Sequence, residues 1–298
     1  MRMKFGVVAI TAVAALALAG CGSSSSDTAS TSPSASASTS ASSAATLGAL
    51  LPSDISSKGS MTFGVDASYA PDEYVGTDGK TIEGMDIDLM NAIVAKLGIK
   101  ATYVNAPFDS IIPAIGSGKY DGGMSSFTIN AEREKVVDFV SYYTAGTSWA
   151  APKGSTLTPD TACGHKIAVQ KGTVEVDDIN ARSAACTKAG KKAITVDQYQ
   201  AQSDATTAVV NGKDEAMLAD SPITGYAIAQ SSGKLQLIGT VYGAAPYGIA
   251  LPKAKGQLAE AFRQAVQAIM DDGTYTTILK KWGATDGAIT TSQINPAA

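Results

Sequence analysis

The stretch from Met124 to Glu134, MSSFTINAERE, gathers groups that bind a small anion: hydroxyls at Ser125, Ser126 and Thr128, and Arg133 five residues after Thr128. Beyond Arg2, the chain's other arginines are Arg182 and Arg263, against 19 lysines. A guanidinium presents a planar fork that a carboxylate accepts through two parallel hydrogen bonds, a geometry an ammonium does not match. With a helix expected from Asn130, Arg133 lies about one turn in and can reach back toward the hydroxyls and backbone N–H groups of Ser126 and Thr128. The other reading pairs an exposed Arg133 with Glu132 or Glu134, for at most about 1 kcal/mol. The segment LADSPITGY supplies the opposite charge. Pro222 suits the first helical position, which makes Ser221 the N-cap and leaves the Asp220 carboxylate free; alternatively Asp220 is itself the cap. An arginine fork and a free carboxylate facing each other across a gap suit a zwitterion.

Alternating strand and helix signals position these groups. MTFGVDA reads as a strand, GMDIDLMNAIVAKLG as a helix with Met90, Ile93, Val94 and Leu97 on one face, and KATYVNA as the next strand. Asp109 then caps a helix in which Pro113 falls in the first turn, KYDGGMSSF returns as a strand, and a helix follows. A second βαβ unit starts near residue 160 with GHKIAVQKGT. SYYTAGTSWAAPKGS reads as a strand passing between the units, and the last segment gives a strand and two helices. The pattern is α/β, two lobes of about 100 residues each with parallel strands covered by helices. Small ligands of such sheets bind beyond the carboxyl ends of strands, at helix N-termini, which is where MSSFTINAERE falls.

The N-terminus addresses location. MRMKFGVVAITAVAALALAGC has two cations, an apolar run from Phe5 to Leu18 and small residues ending on Cys21, the pattern of a secretory leader. Leu18-Ala19-Gly20-Cys21 resembles the lipobox of bacterial lipoproteins, which implies a signal peptide over 1–20 and a lipid anchor on Cys21. Residues 22–46 are 12 Ser, 4 Thr, 6 Ala and one each of Gly, Asp and Pro, a composition that buries almost nothing and reads as a tether. Without Arg2 and Lys4, 21 of the 23 basic residues stand against 27 acidic ones, a net charge of −6 with no basic stripe for nucleic acid. Two further cysteines, Cys163 and Cys186, would form a disulfide or remain thiols in an exported protein. A single histidine, His165, gives no zinc-ligand set, and no metal or cofactor enters the reading.

Several long motifs carry a resemblance: FGVDASYAPDEYVGTDGKTIEGMDIDLMNAIVAKLG, FDSIIPAIGSGKYDGGMSSFTINAERE, LADSPITGY, YGIALPK and DDGTYTTILKKWG. In this order they resemble the solute-binding proteins of polar amino-acid ABC transporters, family 3, over roughly residues 58 to 283. The resemblance implies the type II periplasmic-binding-protein fold, two α/β lobes joined by a two-strand hinge, with lobe one at 47–150 and 246–298 and lobe two at 151–245. It implies that Arg133, helped by Ser126 and Thr128, holds an α-carboxylate and that Asp220 holds an α-ammonium. Tyr69 would cover the ligand's apolar part, Asp66 and Phe108 would line the side-chain pocket, and the turn Gly172, Thr173, Val174 would add backbone donors. The chain departs from the pattern at Asp72, where an aromatic is frequent, and at Val174, where a hydroxyl or glycine is more usual. A bridge between Cys163 and Cys186 would lie within lobe two.

The expected mechanism is closure. A ligand touching Arg133 and Asp220 together favours the form with the lobes shut, with bending near Trp149 to Pro152 and Tyr242 to Pro246. The closed, monomeric protein would deliver a polar amino acid, cationic ones included, to a membrane permease. Asp66, Asp72, Glu73, Asp109 and Glu175 are acidic residues near the expected cleft, and a surplus of carboxylates there favours a cationic ligand. The alternatives are a cyclohexadienyl dehydratase-like enzyme, with Glu73 or Glu175 as its acid, and a ligand-sensing lobe for a signalling partner.

Overall fold

The computed structural model describes residues 47–296; the leader, Cys21 and the Ser/Thr/Ala tether lie outside the described residues. The strands are β1 (Ser60–Val65), β2 (Ser68–Tyr69), β3 (Glu73–Val75), β4 (Ile82–Glu83), β5 (Lys100–Asn105), β6 (Gly122–Thr128), β7 (Val137–Pro152), β8 (Lys166–Gln170), β9 (Thr195–Tyr199), β10 (Ala216–Asp220) and β11 (Leu235–Pro252). The helices are α1 (Ser53–Lys58), α2 (Met85–Lys96), α3 (Phe108–Gly116), α4 (Val174–Lys188), α5 (Gln202–Val210), α6 (Ser221–Gln230), α7 (Leu258–Asp271) and α8 (Thr274–Trp282). β2, β3 and β4 form a small separate sheet.

The main sheet runs β5-β1-β6-β11-β7-β10-β8-β9. Its flanks are parallel, β5, β1 and β6 on one side and β10, β8 and β9 on the other, while β7 and β11 pair antiparallel along both halves. In lobe one, α2, α7 and α8 cover one face of the sheet, burying Met85, Leu89, Ile93, Phe262, Val266 and Leu279. α3 covers the other face with Phe108, Ile111 and Ile115. In lobe two, Trp149, Ile167, Val169 and Ile179 pack beneath α4, and Ala205, Val209 and Met217 beneath α5.

The two long strands cross between the lobes where their pairing is irregular, at Tyr242 opposite Thr147 and Ala245 opposite Ala145. Trp149 to Pro152, expected at the crossing, instead pair in regular register with Leu235 to Ile238 inside lobe two. A Cβ on Gly146 would stand 2.6 Å from the Tyr242 carbonyl oxygen, so the strands approach at the crossing more closely than a side chain permits. Pro113, expected in the first turn of its helix, falls in the second, because α3 starts at Phe108.

Cys163 and Cys186 are bridged, with their Cα atoms 5.6 Å apart. The bridge ties the segment before β8 to the last turn of α4. Reduction should destabilise the protein by about 2–4 kcal/mol through the freed loop. It should leave ligand affinity within about twofold, because both cysteines sit at the far end of α4 from the turn Gly172–Val174. Thermal melts and binding isotherms with and without reductant test this, and a loss of affinity as large as the loss of stability would contradict it.

Candidate functional site

Arg133 opens a short 3-10 turn, Arg133–Lys135, rather than the α-helix expected from Asn130. The Asn130 side chain accepts the Arg133 N–H at 2.9 Å and β7 begins at Val137, which leaves no room for a longer helix. The guanidinium lies over the Phe108 ring, 5.2 Å from its centroid, and 5.8 Å from that of Phe127. Its Nη1 donates to the Thr128 carbonyl at 2.7 Å, and its Nη2 crosses to lobe two and donates to the Gly172 carbonyl at 3.1 Å. Two of its five N–H donors are thus held by backbone. Glu132 is taken by Lys135, and among the described residues Arg133 makes no ion pair with either neighbouring glutamate. Burial lowers its pKa while the Glu175 and Asp220 charges push it back up, and a guanidinium so placed stays charged.

Asp220 ends β10 and sits at the N-cap position of α6, yet its side chain makes no capping bond. Its Oδ2 instead accepts the Tyr69 hydroxyl of lobe one at 2.7 Å. Cap by position, it faces the cleft by hydrogen bonding. Burial raises its pKa to about 8, with the Glu175 carboxylate adding to the rise and the Tyr69 and Tyr247 hydroxyls and the Arg133 charge opposing it. Tyr69 is buried on Ala219 and Ile223, so its ring closes one side of the space in front of Asp220.

The other expected site residues divide. Asp66 lies in the cleft, but Oδ1 accepts the Ser68 N–H, and Oδ2 accepts the Phe108 N–H and the Gln170 side-chain amide of lobe two at 2.7 Å. Burial pushes its pKa up despite these bonds. Phe108 stacks on Phe127 at 5.0 Å and forms the floor under Arg133, so its ring supports the fork. Thr128 contributes its carbonyl to Arg133. Gly172 contributes an acceptor, the Thr173 hydroxyl bonds back to the Gln170 carbonyl at 2.9 Å, and Val174 is the first residue of α4. The first N–H groups of that helix lack helical acceptors and face an anion favourably.

Ser126 departs most from expectation. At a φ of 49° it turns inward, its N–H going to Asp86 at 2.9 Å and its hydroxyl to Asp72 at 2.9 Å. It belongs to a fully buried acidic cluster in lobe one. Ser125 donates to Glu73 at 2.5 Å, Tyr142 donates to Asp86 at 2.7 Å, and among the described residues Asp72 Oδ1, Glu73 Oε2 and Asp86 Oδ1 have no hydrogen-bond partner. Asp72 and Glu73, read from the sequence as acids near the cleft, are therefore internal. Among the described residues no set of three or more such side chains is arranged to hold a metal ion. Burial and mutual repulsion drive Asp72 and Glu73 well above the usual carboxylate range and burial takes Asp86 to about 6, so the cluster is relieved by protons.

Two functional candidates lie outside the ligand set that the resemblance implies, Glu175, which the sequence marks only as an acid near the cleft, and Gln170, which it does not mark at all. Glu175, in the first turn of α4, is buried, accepts the Thr147 hydroxyl at 2.8 Å and interacts with the charge of Arg133; burial raises its pKa. Gln170, at the end of β8, meets Asp66 across the lobes. Their strand-end and helix-start positions were the available signal, but only closure of the lobes shows what they face.

An arginine fork, a buried aspartate, a tyrosine and a helix N-terminus meet between two α/β lobes joined by two strands, which defines a type II periplasmic-binding-protein fold with an interlobe site. The chain belongs to the bacterial extracellular solute-binding proteins, family 3, whose model matches residues 61–285. It is 35% identical over 250 residues to the arginine-binding protein ArgT of Corynebacterium glutamicum, covering 83% of this chain and 82% of that protein. Among solved structures it resembles an ancestral arginine-binding protein bound to glutamine, with TM-score 0.70 and 30% identity over 76% of this chain and 98% of the other. An ancestral arginine-binding protein bound to arginine gives TM-score 0.69 and 31% identity, over 75% of this chain and 98% of the other. Among the described residues no helix is long and apolar enough to cross a membrane.

Proposed function

We propose that this protein captures a cationic amino acid outside the cytoplasm and hands it, lobes closed, to an ABC transporter permease. The observation that carries this reading is geometric: Arg133 of lobe one reaches the Gly172 carbonyl of lobe two, Asp220 of lobe two meets Tyr69 of lobe one, and with the buried Glu175 these charges lie close enough to act on one another. Arg133 holds the α-carboxylate with its remaining donors, assisted by the N–H groups at the start of α4. Asp220 holds the α-ammonium, Tyr69 covers the stem, and Glu175 neutralises a second positive charge. With one arginine against two carboxylates, a ligand of net positive charge balances the site and a neutral one leaves Glu175 protonated. Relatives that bind arginine or glutamine are consistent with both occupants. Lobe one comprises 47–145 and 246–298 and lobe two the chain between, divided where the two long strands cross, and the protein works as a monomer held at the membrane by a lipid on Cys21. It acts by binding and not by catalysis: Glu73, one of the two acids a dehydratase could use, is enclosed in lobe one.

A thermal-shift screen of the purified protein, freed of carried-over ligand by unfolding and refolding, tests the reading against the twenty amino acids, ornithine and citrulline. Native-state binding adds RT ln(1 + [L]/Kd), about 4 kcal/mol at a thousandfold excess over Kd. The largest shifts are expected with arginine, lysine or ornithine. A glutamine response without a cationic one would remove the charge assignment of Glu175. No response to any amino acid, together with turnover of prephenate or arogenate, would replace the reading with the enzyme.

A further inference from the structure

The lobes are joined by bonds at the rim of the cleft as well as at the site. Asp109 is the second residue of α3 in lobe one. The sequence suggests that it caps that helix, but Pro107 occupies the cap position and the Asp109 carboxylate points across the cleft. Its Oδ2 meets Lys171 Nζ at 2.8 Å, and its Oδ1 accepts the Gln200 side-chain amide at 2.9 Å. Lys171 leads into the turn Gly172–Val174, and Gln200 follows β9, so one carboxylate grips two separate segments of lobe two. The seat beneath it is tight: Gly172 has φ +82°, and a Cβ there would stand 2.7 Å from Asp109 Cβ. Alongside, the Gln202 N–H donates to the Ser68 hydroxyl at 3.0 Å, a second bond from lobe two to the lobe-one rim.

We propose that Asp109, with Lys171 and Gln200, is a closing latch that sets how long a ligand is retained, acting as a positioning residue that does not touch the ligand. The inference rests on the reading of the cleft as a small-molecule site. The turn that Lys171 holds carries Gly172, the acceptor for Arg133, and leads into the N-terminus of α4. A latched turn keeps those groups in place around the anion, and an unlatched one lets lobe two swing away with them. Because the contact forms only on closure, its loss acts on dissociation and leaves encounter unchanged. Lys171 and Asp109 remain partly exposed, so salt weakens the latch.

The test is stopped-flow binding of L-arginine to the wild type, Asp109→Ala, Lys171→Ala and the double variant, at low and high salt. Lys171→Ala should dissociate about two- to fivefold faster, and Asp109→Ala, which also loses the Gln200 bond, about five- to twentyfold faster, with an unchanged association rate. The double variant should be no worse than the more affected single one, as for two ends of one interaction. The exchanged pair Asp109→Lys with Lys171→Asp should recover part of the retention and the salt sensitivity that the single variants lose, which a merely structural role for Asp109 would not produce. A wild type that binds no amino acid overturns the reading of the cleft and the latch with it. A wild type that binds L-arginine while Asp109→Ala dissociates at the wild-type rate, or singles whose effects multiply in the double, overturns the latch alone.

Discussion

Arg133→Lys should raise the dissociation constant for the amino acid by about 30- to 1000-fold, roughly 2–4 kcal/mol, while the fold remains intact. Charge is conserved, so the loss measures geometry. A lysine ammonium in this place cannot at once reach the Thr128 carbonyl, the Gly172 carbonyl and a carboxylate, as the guanidinium can with Nη1 and Nη2 already engaged. It also loses the flat contact with the Phe108 ring. Two charge-assisted bonds to the ligand shrink to one, at about 1.5–3 kcal/mol for the bond lost. The bond to Gly172 joins the lobes, so its loss adds to the effect by weakening closure. Calorimetric titration of the variant with the best ligand of the screen, beside a melting curve, is the measurement. Binding within threefold of wild type would remove the α-carboxylate from Arg133.

Much of this site can be read along the chain because its members stand at element ends. Arg133 and Asp220 are each a scarce or charged residue next to a strand end, and the alternation of strands and helices says that such ends meet. The small sheet β2-β3-β4 left no comparable signal, since strands of two or three residues carry no periodicity. Asp109 was misread because an acid in the first turn of a helix has a local use, and local uses outrank distant ones when only the sequence is available. Ser126 failed for the converse reason. A serine beside an expected anion site suggests a donor to ligand, but Asp72 and Asp86, some 40 to 54 residues earlier in the chain, claim both its donors. Acids in a turn-rich stretch such as DEYVGTDG are expected at the surface. That Asp72 and Glu73 are wholly enclosed follows from the packing of β3 and α2 against lobe one, which no residue pattern announces.

Ligand affinity should rise with pH between 6 and 8, approaching tenfold per unit at the lower end and levelling off above about 8. With the lobes closed as in this structure, burial and Glu175 raise the Asp220 carboxyl to about 8, so before a ligand enters that arrangement it carries a proton at neutral pH. An α-ammonium beside it favours the ionised form, so binding expels that proton, and the cost of expelling it falls as the pH approaches 8. Arg133 and the Tyr69 and Tyr247 hydroxyls favour ionisation in both states and so shift the position of the rise without changing its sign. Glu175, itself raised by burial, would steepen the slope for a cationic ligand and leave it unchanged for glutamine. Stability runs the other way: Asp220 holds its proton in the folded protein and releases it near pH 4 when unfolded. Its contribution is therefore fully present below pH 4 and is lost as pH rises through about 8. Calorimetry in buffers of different ionisation enthalpy counts the proton released directly. Asp220→Asn should abolish that release, flatten the pH profile and weaken every α-amino ligand by about 2 kcal/mol or more at pH 8, where the wild-type carboxylate is half ionised. If Asp220→Asn lowers only the melting temperature and leaves the pH profile as in wild type, the residue serves α6 and not the ammonium. The acid whose burial raises its pKa would then have to be sought in Glu175, whose own replacement by glutamine should level the profile in its place.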